Sequence, residues 1–123
     1  MKIYKCAKCP TMVELIKSET CTPSCCGEPM VLLDPGTTDG AQEKHVPIFQ
    51  IDGNNIIVKV GTLTHPMVEV HYIEWIAIET EHGTQRKYLK PGDEPKATFA
   101  LTEDDTLLAI YEHCNLHGLW KAE

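Results

Sequence analysis

Five cysteines fall within the first 26 residues, four of them as Cys6-Ala7-Lys8-Cys9 and an adjacent Cys25-Cys26 pair. The run Asp34-Pro35-Gly36-Thr37-Thr38-Asp39-Gly40 follows them and reads as a linker, because Pro, Gly and small polar residues punctuate a chain. It sets off residues 1–34 from residues 41–123, with 35–40 between them. A segment of about 34 residues is too small to be held by a hydrophobic core alone. A metal bound by the four thiolates would supply the missing stability. Four thiolates suit zinc or a single iron. A Cys-Cys pair forces an unusual turn, and Gly27 directly after it offers the backbone freedom that turn needs. A thioredoxin-like reading of Cys-x-x-Cys lacks the surrounding βαβ pattern.

A second set of ligand-type residues lies beyond the linker: His45, His65, His71, Cys114 and His117. Four imidazoles and one thiolate are too many for a tetrahedral structural zinc. They suit a five-coordinate iron with one position open to a small substrate. Pro47 and Pro66 bias the backbone beside His45 and His65 toward extended paths. Cys114 and His117 can come from one turn, with Gly118 easing the bend. His82, in a Glu-His-Gly-Thr turn, reads as solvated. His113 adjoins Cys114 and would point to the opposite face of a strand. Cys21 reads as a small, partly buried spare.

The rest of the chain bounds the function by exclusion. Eleven basic and 18 acidic residues give a net charge of −7, with Arg86 the single arginine. No basic stripe exists to neutralise phosphates, so nucleic-acid binding is not expected. No apolar run approaches the roughly 20 residues of a membrane span. The start, Met1-Lys2-Ile3-Tyr4-Lys5-Cys6, shows no apolar signal region, which points to a reducing cytoplasm. Residues 56–60, 68–78, 96–101 and 106–111 are rich in β-branched and aromatic types and predict strands. Turn signals at 52–54, 82–83 and 90–93 separate them. The fold class is all-β, a small antiparallel sandwich behind a miniature metal-bound domain. Residues 102–105 could start a helical turn or form a loop. Trp75, Trp120, Tyr72 and Tyr111 read as packing residues.

The N-terminal segment resembles desulforedoxin, in which a Cys-x-x-Cys and an adjacent Cys-Cys bind one iron. That resemblance implies Cys6, Cys9, Cys25 and Cys26 as ligands. Pro10 departs from it, since related iron knuckles have Gly there. Proline cannot take positive φ and offers no N–H, so the turn around Cys9 is expected to be altered. The whole chain resembles superoxide reductase in its two-iron form. Glu43-Lys44-His45-Val46-Pro47 matches the family's Glu-Lys-His-x-Pro. Residues 65–71 match His-Pro-x-x-x-x-His, and residues 114–120 match Cys-Asn-x-His-Gly-x-Trp. The resemblance implies His45, His65, His71 and His117 as equatorial ligands and Cys114 as the axial sulfur of a second iron. It also implies an immunoglobulin-like β-sandwich, a homodimer and a rubredoxin-like electron donor.

The activity so implied is one-electron reduction of superoxide to hydrogen peroxide. Lys44 would attract the anion and organise a proton-donating water, and Glu43 would occupy the sixth position of the oxidised iron. Ferrous iron with four neutral imidazoles and one thiolate carries a net +1, which attracts an anion in spite of the acidic chain. Three other readings stand beside this one: a superoxide dismutase, a non-catalytic iron electron carrier, and a zinc-stapled binding module.

Overall fold

A computed structural model describes residues 1–17 and 20–123. The chain divides into two compact units, Met1–Asp34 and Pro35–Glu123.

Among the described residues the first unit has five short strands. β1 (Ile3–Lys5) pairs antiparallel with β2 (Met12–Glu14) and β5 (Val31–Leu32), while β3 (Ser24–Cys25) and β4 (Glu28–Pro29) form a separate hairpin. Its buried apolar side chains are Ile3, Cys6 and Met30. So small a core contributes little beside the cost of ordering some thirty residues.

The second unit is all-β except for α1 (Gln42–His45), a single helical turn. β6 (Pro47–Asp52), β7 (Asn55–Val60) and β10 (Lys96–Ala100) form a three-stranded antiparallel sheet in the order β10-β7-β6. β8 (Ile73–Thr80), β9 (Gly83–Tyr88), β11 (Leu107–Cys114) and β12 (Gly118–Ala122) form a second sheet in the order β12-β11-β8-β9. The inward residues of β7 and β10 (Ile56, Val58, Val60, Ala97, Phe99) meet Ile73, Ile76, Ile78 and Ile110 of the other sheet, and Cys114 lies in the same cluster. Burying such branched side chains stabilises by roughly 1.5–3 kcal/mol each. The Cys114 end of the second sheet is therefore anchored in the core.

Several expectations change on contact with the fold. Residues 68–78 are not one strand. Val68 and His71 close on each other as an isolated bridge, with amide–carbonyl bonds of 3.0 Å both ways, and the regular strand starts at Ile73. The reversal costs ladder bonds, but Asn115 replaces them, as described below. β6, β9 and β12 carry weaker strand patterns: β6 is exposed beyond Pro47, and β9 reads Gly-Thr-Gln-Arg-Lys-Tyr. Residues 102–105 form a turn closed by Asp105 N–H donating to Thr102 O at 3.1 Å, with no helix. The run 35–40 packs on its own unit, with Gly36 N–H donating to Leu119 O at 2.8 Å. Among the described residues no helix is long and apolar enough to cross a membrane.

Candidate metal centres

His45, His65, His71, Cys114 and His117 come from four separate places yet converge, their ligand atoms all within 4.8 Å of one another. His45 ends α1. His65 sits in the loop after β7, and His71 in the Val68–His71 bridge. Cys114 ends β11, and His117 lies in the turn before β12, where Gly118 takes φ +79°. Asn115 ties two of these pieces together. Its Oδ1 accepts Tyr72 N–H at 2.9 Å, its Nδ2 donates to Val70 O at 3.1 Å, and its own N–H donates to Tyr72 O at 3.1 Å. The turn that carries His117 thereby holds the loop that carries His71.

The four imidazoles form a ring. Neighbouring centroids are 4.7–4.9 Å apart and the planes nearly perpendicular: His45 to His65, His65 to His71, His71 to His117 and His117 to His45. His45 and His71 lie opposite each other at 6.4 Å, inclined by 28°. His45 Nδ1 bonds Ala41 O at 2.7 Å and His65 Nδ1 bonds Pro66 O at 2.6 Å. A carbonyl only accepts, so each Nδ1 carries the proton and each Nε2 presents a lone pair inward. Those two lone-pair nitrogens face each other at 3.1 Å, and His117 Nδ1 is 3.1 Å from His45 Nε2. His71 Nε2 is buried with no hydrogen-bond partner.

Converging lone pairs and an orphaned buried nitrogen are what a cation satisfies. Two ligands at right angles about a metal, each at about 2.1 Å, stand about 3.0 Å apart, close to the separations here. Burial pushes the pKa of His45, His65 and His71 down, that of His65 to about 4. Those three imidazoles are then neutral at physiological pH, the form a metal would require. Burial pushes the Cys114 thiol up. Its ionisation therefore calls for a positive charge beside it, which a bound metal provides.

Trp120 stacks on His45 at 4.9 Å and 23°, and its Nε1 donates to His117 O at 3.0 Å. Thr38 Oγ1 donates to the same carbonyl. Gly40 lies so close to Trp120 and His117 that a Cβ would meet them at 3.1–3.2 Å. The run expected as a linker is thus a strap over the turn that carries His117.

Glu43 and Lys44 are exposed on α1, and the Glu43 carboxylate is outside the converging set. Their backbone is fixed: Leu63 N–H donates to Glu43 O at 2.9 Å, and Thr62 Oγ1 to the same oxygen at 3.2 Å. The Lys44 charge is close enough to help lower the pKa of His45 and His71.

In the first unit the Sγ atoms of Cys6, Cys9, Cys25 and Cys26 also lie within 4.8 Å of one another. Lys8 and Cys9 N–H both point at Cys6 Sγ, at 3.4 Å. Pro10 does not prevent this turn. Cys26 takes φ +53° and Gly27 φ +79°, so the left-handed freedom expected of Gly27 extends to the cysteine before it. Cys21 is exposed rather than partly buried, and lies outside the group. His113 faces away from the other imidazoles and bonds Glu74 Oε1 at 2.8 Å; His82 is exposed and bonds Asp104 O at 3.1 Å.

The desulfoferrodoxin family profile matches residues 37–123. The chain belongs to the desulfoferrodoxin family. It is 47% identical over 122 residues to a desulfoferrodoxin homolog of Archaeoglobus fulgidus, covering 99% of this chain and 96% of that one. It is equally similar to the desulfoferrodoxin of Nitratidesulfovibrio vulgaris, covering 99% and 95%. The superoxide reductase of Treponema pallidum matches over 100% of both chains, with a TM-score of 0.83 and 36% identity. A superoxide reductase from Giardia intestinalis matches 65% of this chain and 95% of its own, with a TM-score of 0.56 and 34% identity.

Sequence reasoning missed Thr38, Gly40 and Asn115 and took Trp120 as packing alone. Asn115 and Trp120 do lie inside the Cys-Asn-x-His-Gly-x-Trp motif, and their spacing from His117 was the available signal. Thr38 had none, because it meets His117 across 79 positions of sequence.

Proposed function

We propose that this chain reduces superoxide to hydrogen peroxide by one electron and two protons, using iron at the His45/His65/His71/His117/Cys114 centre. The observation that carries this is the inward convergence of four imidazoles and one thiolate, with tautomers set by Ala41 O and Pro66 O. Iron so held supplies the electron and, with five protein donors, retains a place for a small anion. A second iron belongs to Cys6, Cys9, Cys25 and Cys26, whose four thiolates leave no place for substrate.

The protein's own groups do the rest. Lys44, exposed beside the ligands, draws the superoxide anion and orders the water that delivers protons. Glu43 offers a carboxylate that closes the site after peroxide leaves. Trp120 and Asn115 keep His45, His71 and His117 in place. Burial of Cys114 keeps its sulfur dry and dedicated to the metal. The electron is replenished by a small rubredoxin-like protein, the chain works as a homodimer, and its setting is the cytoplasm.

Metal analysis and visible spectra before and after superoxide test this reading. The expected result is two irons per chain and stoichiometric oxidation of the histidine centre without oxygen release. Zinc in both sites of natively purified protein would overturn it, and oxygen release would make the chain a dismutase.

A further inference from the structure

Hydrogen bonding to the four sulfurs of the first unit is uneven. Cys6 Sγ accepts two amide N–H groups. Cys25 Sγ has other sulfurs beside it, Cys9 at 3.6 Å and Cys26 at 3.9 Å. Cys9 is followed by Pro10, which has no N–H to give. A donor reaches it from one residue further on: Thr11 Oγ1 is 3.2 Å from Cys9 Sγ. The Thr11 backbone amide leans on the same sulfur. Thr11 is itself pinned, since its carbonyl accepts Cys6 N–H at 2.9 Å and β2 begins at the next residue.

We propose that Thr11 sets the reduction potential of the iron held by Cys6, Cys9, Cys25 and Cys26, through its hydroxyl bond to the Cys9 sulfur. Thr11 is a positioning residue; it acts through Cys9 and touches neither substrate nor metal. The inference rests on the reading of that centre as iron. Once Cys9 is a thiolate it can only accept, so the hydroxyl donates. Reduction adds one electron to an all-thiolate site and raises the negative charge on its sulfurs. A donor bond to sulfur then stabilises the reduced form more than the oxidised form and raises the potential. The hydroxyl is exposed, and water competes for it, which holds the effect to about tenfold in the reduced-to-oxidised ratio, or ~59 mV for a one-electron couple.

The test is a potentiometric titration of the full-length, iron-loaded protein, followed at the visible band of the four-thiolate centre, with metal content measured alongside. Thr11→Val keeps the β-branched shape and loses the hydroxyl; its potential should fall by ~59 mV. Thr11→Ser keeps the hydroxyl and should stay near wild type. Thr11→Ala removes the hydroxyl with less bulk and should fall like the valine variant, should valine fail to load iron. The histidine centre should keep its own potential in every variant. A valine or alanine variant at the wild-type potential overturns the proposal. So does a serine variant that falls as far, because packing rather than the hydroxyl would then be the cause. A colourless, zinc-filled centre in the wild type overturns the iron reading and the inference with it, and the metal content separates that result from the other two.

Discussion

His45 and His65 each spend one ring nitrogen on a backbone carbonyl and leave the other facing the ring of imidazoles. Their acid–base behaviour follows from burial. For His65, desolvation holds the folded pKa at about 4, below the ordinary 6.5. Above pH 6.5 the residue is neutral whether the chain is folded or not, so it adds no pH dependence. Below 6.5 the unfolded chain takes up a proton that the folded site refuses, and stability falls as pH drops toward 4. His45 and His71 shift in the same direction. Metal-free protein should therefore lose thermal stability steadily between pH 6.5 and 4. His65→Gln should flatten that slope while lowering stability at neutral pH. Both tryptophans, Trp75 and Trp120, lie in the second unit, so their fluorescence reports its melting alone. A slope unchanged by the substitution would mean that other groups carry the effect.

The loop that carries α1 is placed by one glycine. Gly61 takes φ +79°, and a Cβ there would stand 2.6 Å from Leu63 O and 2.7 Å from Lys44 C and O. All three are backbone atoms with nowhere to go. Gly61→Ala should cost at least about 1–3 kcal/mol, from strain at that φ alone. It should also lower metal occupancy of the histidine centre, because His45 follows Lys44, while the four-cysteine centre keeps its metal. Gly53→Ala is the control: φ is +61°, but nothing lies within 4 Å of the added Cβ. Metal content and melting of the two variants check this. None of it was visible in sequence, where Gly61 is one more turn residue. The residues of the two converging sets were visible, because ligand-type side chains are recognised by residue type and motif spacing. The strands of the core were visible where apolar residues run together, as in β7, β8 and β11. β9 and β12 were not, since strands paired to a central neighbour can be polar and short. The break of residues 68–72 away from β8 was hidden too, because it depends on Asn115, more than forty positions away.

Charge is divided unequally over the molecule. In residues 1–34 four lysines balance four acids, so the whole excess of −7 belongs to the second unit, the one that meets an anion. Much of it lies at the end remote from the imidazoles. β8 runs from Ile73, paired with Cys114, to Thr80, which bonds Asp105 Oδ2 at 2.8 Å. Seven residue steps of strand span about 23 Å, well beyond a Debye length of about 8 Å at physiological salt. The acids around Glu81 and 103–105 are thus screened from the site, and Lys44 is not. The rate of reaction with superoxide should fall as ionic strength rises. Lys44→Ala should lower it by roughly tenfold and flatten that dependence. Stopped-flow series in salt on both proteins check this, and a wild-type rate that rises with salt would show the remote acids winning. The two groups of sulfurs also differ in their exposure. Cys114 is sealed at 0% exposure, while Cys26 lies on the surface with Cys9 and Cys25 half-covered. Hydrogen peroxide oxidises accessible thiolates first. Peroxide made at the histidine centre is released into the solvent that bathes the wet sulfurs. Such a molecule wears out from its N-terminal end, and the sulfur that its reaction needs is the last to corrode.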